Sequence, residues 1–129
     1  MNDFAIVADA SAVLALLIGE PFTLFDPQRL ANASISAVNL SEVLARLLEI
    51  GMPEREVETA VAKLDLRVVA FDEMYALDAA RLRTATRHAG LSLGDRACLA
   101  LGNRLGCPVV TGDRIWASLD IGVEVLPIR

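Results

Sequence analysis

Four acids in this chain stand where a carboxylate can do chemistry. Asp9 closes the apolar run "FAIVAD", Asp113 follows the short run in "CPVVTGD", and Glu42 and Asp95 fall in the opening turns of two helical patterns, "NLSEVLARLLEIG" and "SLGDRACLALGNRLG". If all four face one edge of a sheet, their mutual repulsion raises their pKa values and costs stability unless cations sit among them. Convergence therefore predicts metal. Hard oxygen ligands with no nearby His or thiolate suit Mg²⁺ or Mn²⁺, which keep several waters and bridge to substrate phosphates. Such ions lower the pKa of a bound water and stabilise the attacking and leaving oxygens at a phosphodiester, so no protein nucleophile is required.

Each acid also has a purely structural explanation. Asp9 and Asp113 are placed to cap helices, while Glu42 lies three residues after Asn39 and Asp95 three after Ser92, the register of a capping box. The helix dipole alone favours acids in first turns. Glu54, Glu56, Glu58, Asp72 and Glu73 lie on polar helical faces and read as solvated charges.

The elements that must position the four acids alternate along the chain. "FAIVAD", "ASISAV", "LRVVAF", "CPVVTGD" and "GVEVLPI" are strand candidates. Between them, "SAVLALLIGE" stops at Gly19 and Pro21, and Leu40, Val43, Leu44, Leu47 and Leu48 recur at helical spacing up to Gly51. Pro53 opens "PEREVETAVAKL", and the longest helical pattern, "DEMYALDAARLRTATRHAG", precedes "SLGDRACLALGNRLG". This alternation implies an α/β fold, a mostly parallel sheet covered on both faces, with sites gathered at the carboxyl ends of the strands.

Composition sets the remaining bounds. A chain of 129 residues is enough for one domain, taken as residues 1–129, and 54% apolar with 5% aromatic residues implies a core of Ala, Leu, Val and Ile. No apolar run approaches the roughly 20 residues of a membrane span, and Asp3 and Asp9 do not fit a signal peptide, which implies a cytoplasmic protein. Cys98 and Cys107 lack metal-site spacing and read as reduced, packed thiols. A net charge of −5 argues against a broad basic face that coats nucleic acid, but not against a nuclease whose acids hold cations.

With these residues placed, the sequence resembles the PIN-domain ribonucleases, and among them the VapC-like toxins of bacterial toxin–antitoxin pairs. The resemblance covers nearly the whole chain through "ADAS", "NLSEVL", "SLGDRACLALG" and "VVTGDRIW". It implies a three-layer α/β/α domain in which Asp9, Glu42, Asp95 and Asp113 hold Mg²⁺ or Mn²⁺ and hydrolyse RNA, with Ser11 and Thr111 supporting them. It also implies inhibition of translation, a homodimer, and a cognate antitoxin whose tail lays apolar residues in a groove and often an Arg against the acids.

Arg96 and Arg114 each follow a site acid and are placed to steady a carboxylate or meet phosphate. Ser11 alternatively satisfies its own helix start, and Trp116 reads as a core residue more than as a base-stacking one. Arg81, Arg83, Arg87 and His88 cluster late in the long helix, suiting its dipole or an RNA backbone. Two rivals each lack a group: a phosphoacceptor receiver wants a Lys after a late strand, and Lys63 lies in a helix; a haloacid-dehalogenase-type phosphatase wants an acid where Ser11 stands. The alternative from another class is a catalytically idle PIN fold that binds RNA or protein, marked by loss of an acid, and none is lost.

Overall fold

A computed structural model describes residues 5–129; Asp3 and the first residue of the "FAIVAD" run, Phe4, lie outside it. All five predicted strands and all five predicted helices form, as β1 (Val7–Ala8), α1 (Ala10–Ile18), β2 (Ser34–Ser36), α2 (Ala37–Glu49), α3 (Glu54–Ala62), β3 (Arg67–Val69), α4 (Glu73–Ala85), α5 (Leu93–Leu105), β4 (Val109–Thr111) and β5 (Val125–Pro127). The strands lie in the order β3-β2-β1-β4-β5 and every pairing is parallel. Register is set by Val7 opposite both Ser34 and Val109, and Ala8 opposite Val110.

The two faces of the sheet carry separate cores, as the alternation of a strand requires. Ile6, Ala8, Ile35 and Val110 pack with Val13, Val43, Leu47 and Val57, so α1, α2 and α3 cover one face. Val7 and Val109 point the other way, onto Tyr75, Leu99, Leu101 and Trp116, so α4 and α5 cover the second. This is the three-layer α/β/α arrangement. Trp116 is a core residue, 1% exposed. α5 runs close over β4 because Gly102 has no Cβ to meet the Val109 side chain.

Helix boundaries follow local chemistry. α2 begins earlier than its apolar spacing suggests, because Ser36 caps it by accepting from the Val38 N–H at 3.2 Å. α4 ends at Ala85, where the Thr86 hydroxyl donates to the Leu82 carbonyl at 2.6 Å, so Arg87 and His88 fall in a separate 3₁₀ turn. No helix among the described residues is long and apolar enough to cross a membrane. The strand order reverses direction between β1 and β4, and the crevice outside the carboxyl ends of such a pair is where open parallel sheets place their ligands.

Candidate active site

That crevice is where Asp9 and Asp113 emerge. Asp9 follows β1 directly and occupies the N-cap position of α1, yet its side chain makes no capping bond. Its Oδ2 instead accepts the Ser11 hydroxyl at 2.6 Å and the Thr111 hydroxyl at 2.9 Å, Thr111 being the last residue of β4. Each hydroxyl in turn accepts a backbone N–H, Ser11 from Gly112 at 2.8 Å and Thr111 from Asp113 at 3.0 Å. A hydroxyl has one proton, and with an N–H aimed at its oxygen that proton turns to Asp9. Ser11 and Thr111 thus fix the carboxylate across the β1–β4 gap, and Ser11 does not satisfy its own helix start.

Asp9 is 5% exposed. Burial pushes its carboxyl up from the ordinary 3.8 to about 6; the two hydroxyl bonds oppose this, and the charges of Asp95 and Glu42 add to it. No cationic side chain contributes. Asp95 and Glu42 therefore act on Asp9, and Asp113 is not among the charges that do.

Glu42 and Asp95 are brought to the crevice by a contact between α2 and α5. Asn39, fully buried, donates from Nδ2 to Glu42 Oε1 at 2.8 Å and to the Gly94 carbonyl at 2.9 Å, which ties the two helices together. Both partners are acceptors, so the amide orientation is fixed by its surroundings. The capping-box reading of Asn39 with Glu42 is thus corrected: Ser36 is the cap, and Asn39 lies inside the helix facing α5. Glu42 sits directly over Gly94, where a Cβ would come within 2.6 Å of its Cδ. Only glycine leaves room for the carboxylate. Asn39 and Gly94 are the site residues that sequence reasoning missed. The available signal was a glycine in a first turn, a costly helix residue placed just before an acid.

Asp95 does form its predicted capping box, with Oδ2 accepting from the Ser92 N–H at 3.0 Å and Ser92 accepting from the Asp95 N–H at 3.2 Å. Asp113 also caps: its Oδ1 accepts from the Ile115 N–H at 3.0 Å, opening the 3₁₀ turn Arg114–Ser118. The result is one pattern repeated four times. Asp9 Oδ1, Glu42 Oε2, Asp95 Oδ1 and Asp113 Oδ2 accept no hydrogen bond among the described residues, while the other oxygen of each is pinned.

As the side chains stand, no three acid, His or Cys groups among the described residues share the reach of one ion. The donor chemistry nevertheless fits a hard divalent cation, because Asp95 and Glu42, each with a spare carboxylate oxygen, raise the carboxyl of a buried acid whose charge no side-chain cation offsets. Cys98 is fully buried, and burial together with the charges of Asp9, Asp95 and Glu42 pushes its thiol well up.

Of the two arginines, one is corrected. Arg96 does not face the acids; the turn of α5 carries it to the α4 side, where its Nη1 donates to the Ala79 carbonyl at 3.0 Å. Arg114 stays exposed beside Asp113, on the wall of a groove of about 590 Å³ that starts at Ser11 and Gly112. Leu14, Ile18 and Ile50 give the groove an apolar side, and Arg46 and Arg129 add charge. His88 is exposed in the turn after α4 and takes no part.

Solved structures share this architecture. DNA-bound VapBC from Salmonella typhimurium is similar over 97% of this chain and 98% of that one, at 18% identity and a TM-score of 0.77. VapBC-5 from Mycobacterium tuberculosis matches over 96% and 98% at 24% identity and 0.64, and VapC20 of the same organism, described as a sarcin-ricin loop cleaving toxin, over 92% and 98% at 18% and 0.66. No curated protein matches significantly. The PIN domain family model matches residues 6–122, and the chain belongs to the PIN domain family.

Proposed function

We propose that this protein is a Mg²⁺- or Mn²⁺-dependent endoribonuclease, the toxin of a toxin–antitoxin pair, whose cleavage of RNA arrests translation. The observation that carries the reading is the set of four carboxylates at the β1–β4 switch point, each with one oxygen pinned and one spare. Family membership and the toxins among its structural neighbours support it.

Asp9, Glu42, Asp95 and Asp113 would hold the cation. When bound, it supplies a water of lowered pKa and neutralises charge on the phosphate. The chain's own work is positional: Ser11 and Thr111 aim Asp9, Asn39 aims Glu42, and Ser92 aims Asp95. The Ile115 N–H holds one oxygen of Asp113 and leaves the other spare, and Arg114 beside it is placed to meet a phosphate oxygen. The groove running from Ser11 to Arg129 suits both a nucleic-acid strand and the apolar tail of an antitoxin, so occupation by the second excludes the first. The homodimer is carried over from the family resemblance and the cytoplasmic location from the sequence, and both belong to the same proposal.

The test is incubation of the purified protein with total cellular RNA in Mg²⁺ and in Mn²⁺, beside chelator and Asp95→Asn controls, with mapping of new ends. Discrete cuts that need the metal and vanish in the variant are expected. Cleavage in chelator, or at an undiminished rate by Asp95→Asn, sinks the mechanism. Silence from folded, inhibitor-free protein points instead to the idle binding module.

A further inference from the structure

Arg81, Arg83, Arg87 and His88 read as one basic cluster in the sequence, and the fold divides it. Arg81 turns to Asp78 at 3.6 Å, and the same carboxylate takes Arg104 at 2.8 Å. Arg83 and Arg87 make no ion pair among the described residues. They stand instead on the wall of a concavity of about 360 Å³ completed by Thr86, Gly90 and Leu91. Thr86 spends its proton on the end of α4, which leaves the two guanidiniums as the charged groups of the pocket.

We propose that Arg83 and Arg87 form a second phosphate site, which holds the RNA backbone at a distance from the scissile bond. The inference rests on the ribonuclease reading and adds to it a part of the substrate path. The two like charges share one concavity that no acid lines, on a chain of net charge −5, and repel each other there. A phosphodiester relieves that repulsion, since the planar fork of Arg matches phosphate oxygens two at a time. Gly90 and Leu91 of the pocket wall lead straight to Ser92, the cap of the helix that carries Asp95, so the pocket adjoins the site through one short segment. It shares no lining residue with the groove beside Asp113, so it is a separate hold on the strand. Leu91 is its one large apolar side chain, too little for the anchors a protein partner needs.

The experiment follows anisotropy of a fluorescein-labelled, mixed-sequence single-stranded RNA with the full chain in chelator, over a salt series. The Arg83→Gln/Arg87→Gln double variant is expected to bind roughly a hundredfold more weakly at low salt, the scale of removing two charge-assisted hydrogen bonds. The slope of log affinity against log salt should fall by about 1.4, from roughly 0.7 for each phosphate neutralised on a single strand. Arg81→Gln, whose partner is Asp78, should change neither. In Mg²⁺ the double variant should show a raised KM with kcat kept. Wild-type affinity and slope in the double variant overturn the proposal, as does an equal loss in Arg81→Gln, which would mark a general charge effect. Binding that depends on Arg83 and Arg87 without cleavage in either metal leaves the phosphate site standing and removes the ribonuclease reading.

Discussion

Two carboxylates of this molecule are each held by two close partners and come out oppositely. Asp78, on α4, meets Arg104 at 2.8 Å and Arg81 at 3.6 Å, and the Arg104 hydrogen bond leads in holding its carboxyl below the usual value. Asp9 meets two hydroxyls, is buried, and feels Asp95 and Glu42; its carboxyl is pushed up to about 6. Charge at Asp78 is matched by the chain itself, and there it ties α4 to α5. Charge at Asp9 is left unmatched at a cost to stability, which a fold sustains where something outside the chain completes the balance. Unmatched charge marks the site, and matched charge marks the scaffold.

The comparison breaks most visibly in catalysis. Asp95→Asn should lower RNA cleavage by two to three orders of magnitude, the scale of removing one fixed charge that a transition state depends on. Asp78→Asn should leave the rate unchanged. Single-turnover cleavage of the mapped substrate measures both, and comparable losses would erase the distinction.

Stability should run the other way. A carboxyl raised in the folded state favours folding while protonated; that contribution is fully present below 3.8 and is lost as pH rises through about 6. The ionised Asp9 therefore destabilises the protein at neutral pH, by up to about 3 kcal/mol for a shift of this size. Asp9→Asn keeps an oxygen for Ser11 and Thr111, so it should be more stable than wild type by up to that amount above about pH 7, with the gain vanishing in acid. Urea unfolding at several pH values measures it. Mg²⁺ should stabilise the wild type and not the variant, and a variant no more stable than wild type at neutral pH would show that Asp9 carries no unmatched charge.

The supports of the acids come next. Thr111→Val removes one bond to Asp9 and the acceptor of the Asp113 N–H, and should cost 10- to 100-fold in Mn²⁺ affinity or in rate, as partners of ligands commonly do. Gly94→Ala should displace Glu42 and cost about tenfold by the same route. Mn²⁺ titration followed by electron paramagnetic resonance separates both from simple unfolding. Full affinity in Thr111→Val would mean that Asp9 needs no second hydroxyl.

Much of this was legible in the residues alone. Short apolar runs and helical spacing located all ten elements, and the placing of Asp9 and Asp113 after strands foretold the crevice. What spacing could not supply was the identity of the element opposite each face. Asn39 reads as a cap until α5 is seen against it, because a sequence orders positions along a helix without naming the neighbour. Arg96 follows Asp95 by one residue, yet one residue turns the side chain about 100° around the helix, away from the acids and into α4. Asp113 was read both as ligand and as cap, and the side chain takes the cap.

The smallest effect belongs to the scaffold side. Removing the Asp78 charge by Asp78→Asn should lower Tm slightly near neutral pH, where the carboxylate is ionised and paired. A lowered carboxyl contributes stability above its ordinary 3.8 and loses it as pH falls through the still lower folded value, so the difference from wild type should close in strong acid. Arg81 and Arg104 have side chains 70% and 39% exposed, and solvent and salt screen both pairs. The Tm difference should therefore shrink as salt is added. A large loss insensitive to salt would make the Asp78 pair a pillar of the α4–α5 contact. Exposure leaves little room for that, because a pair that water already solvates gives the fold little when it forms and takes little when it goes.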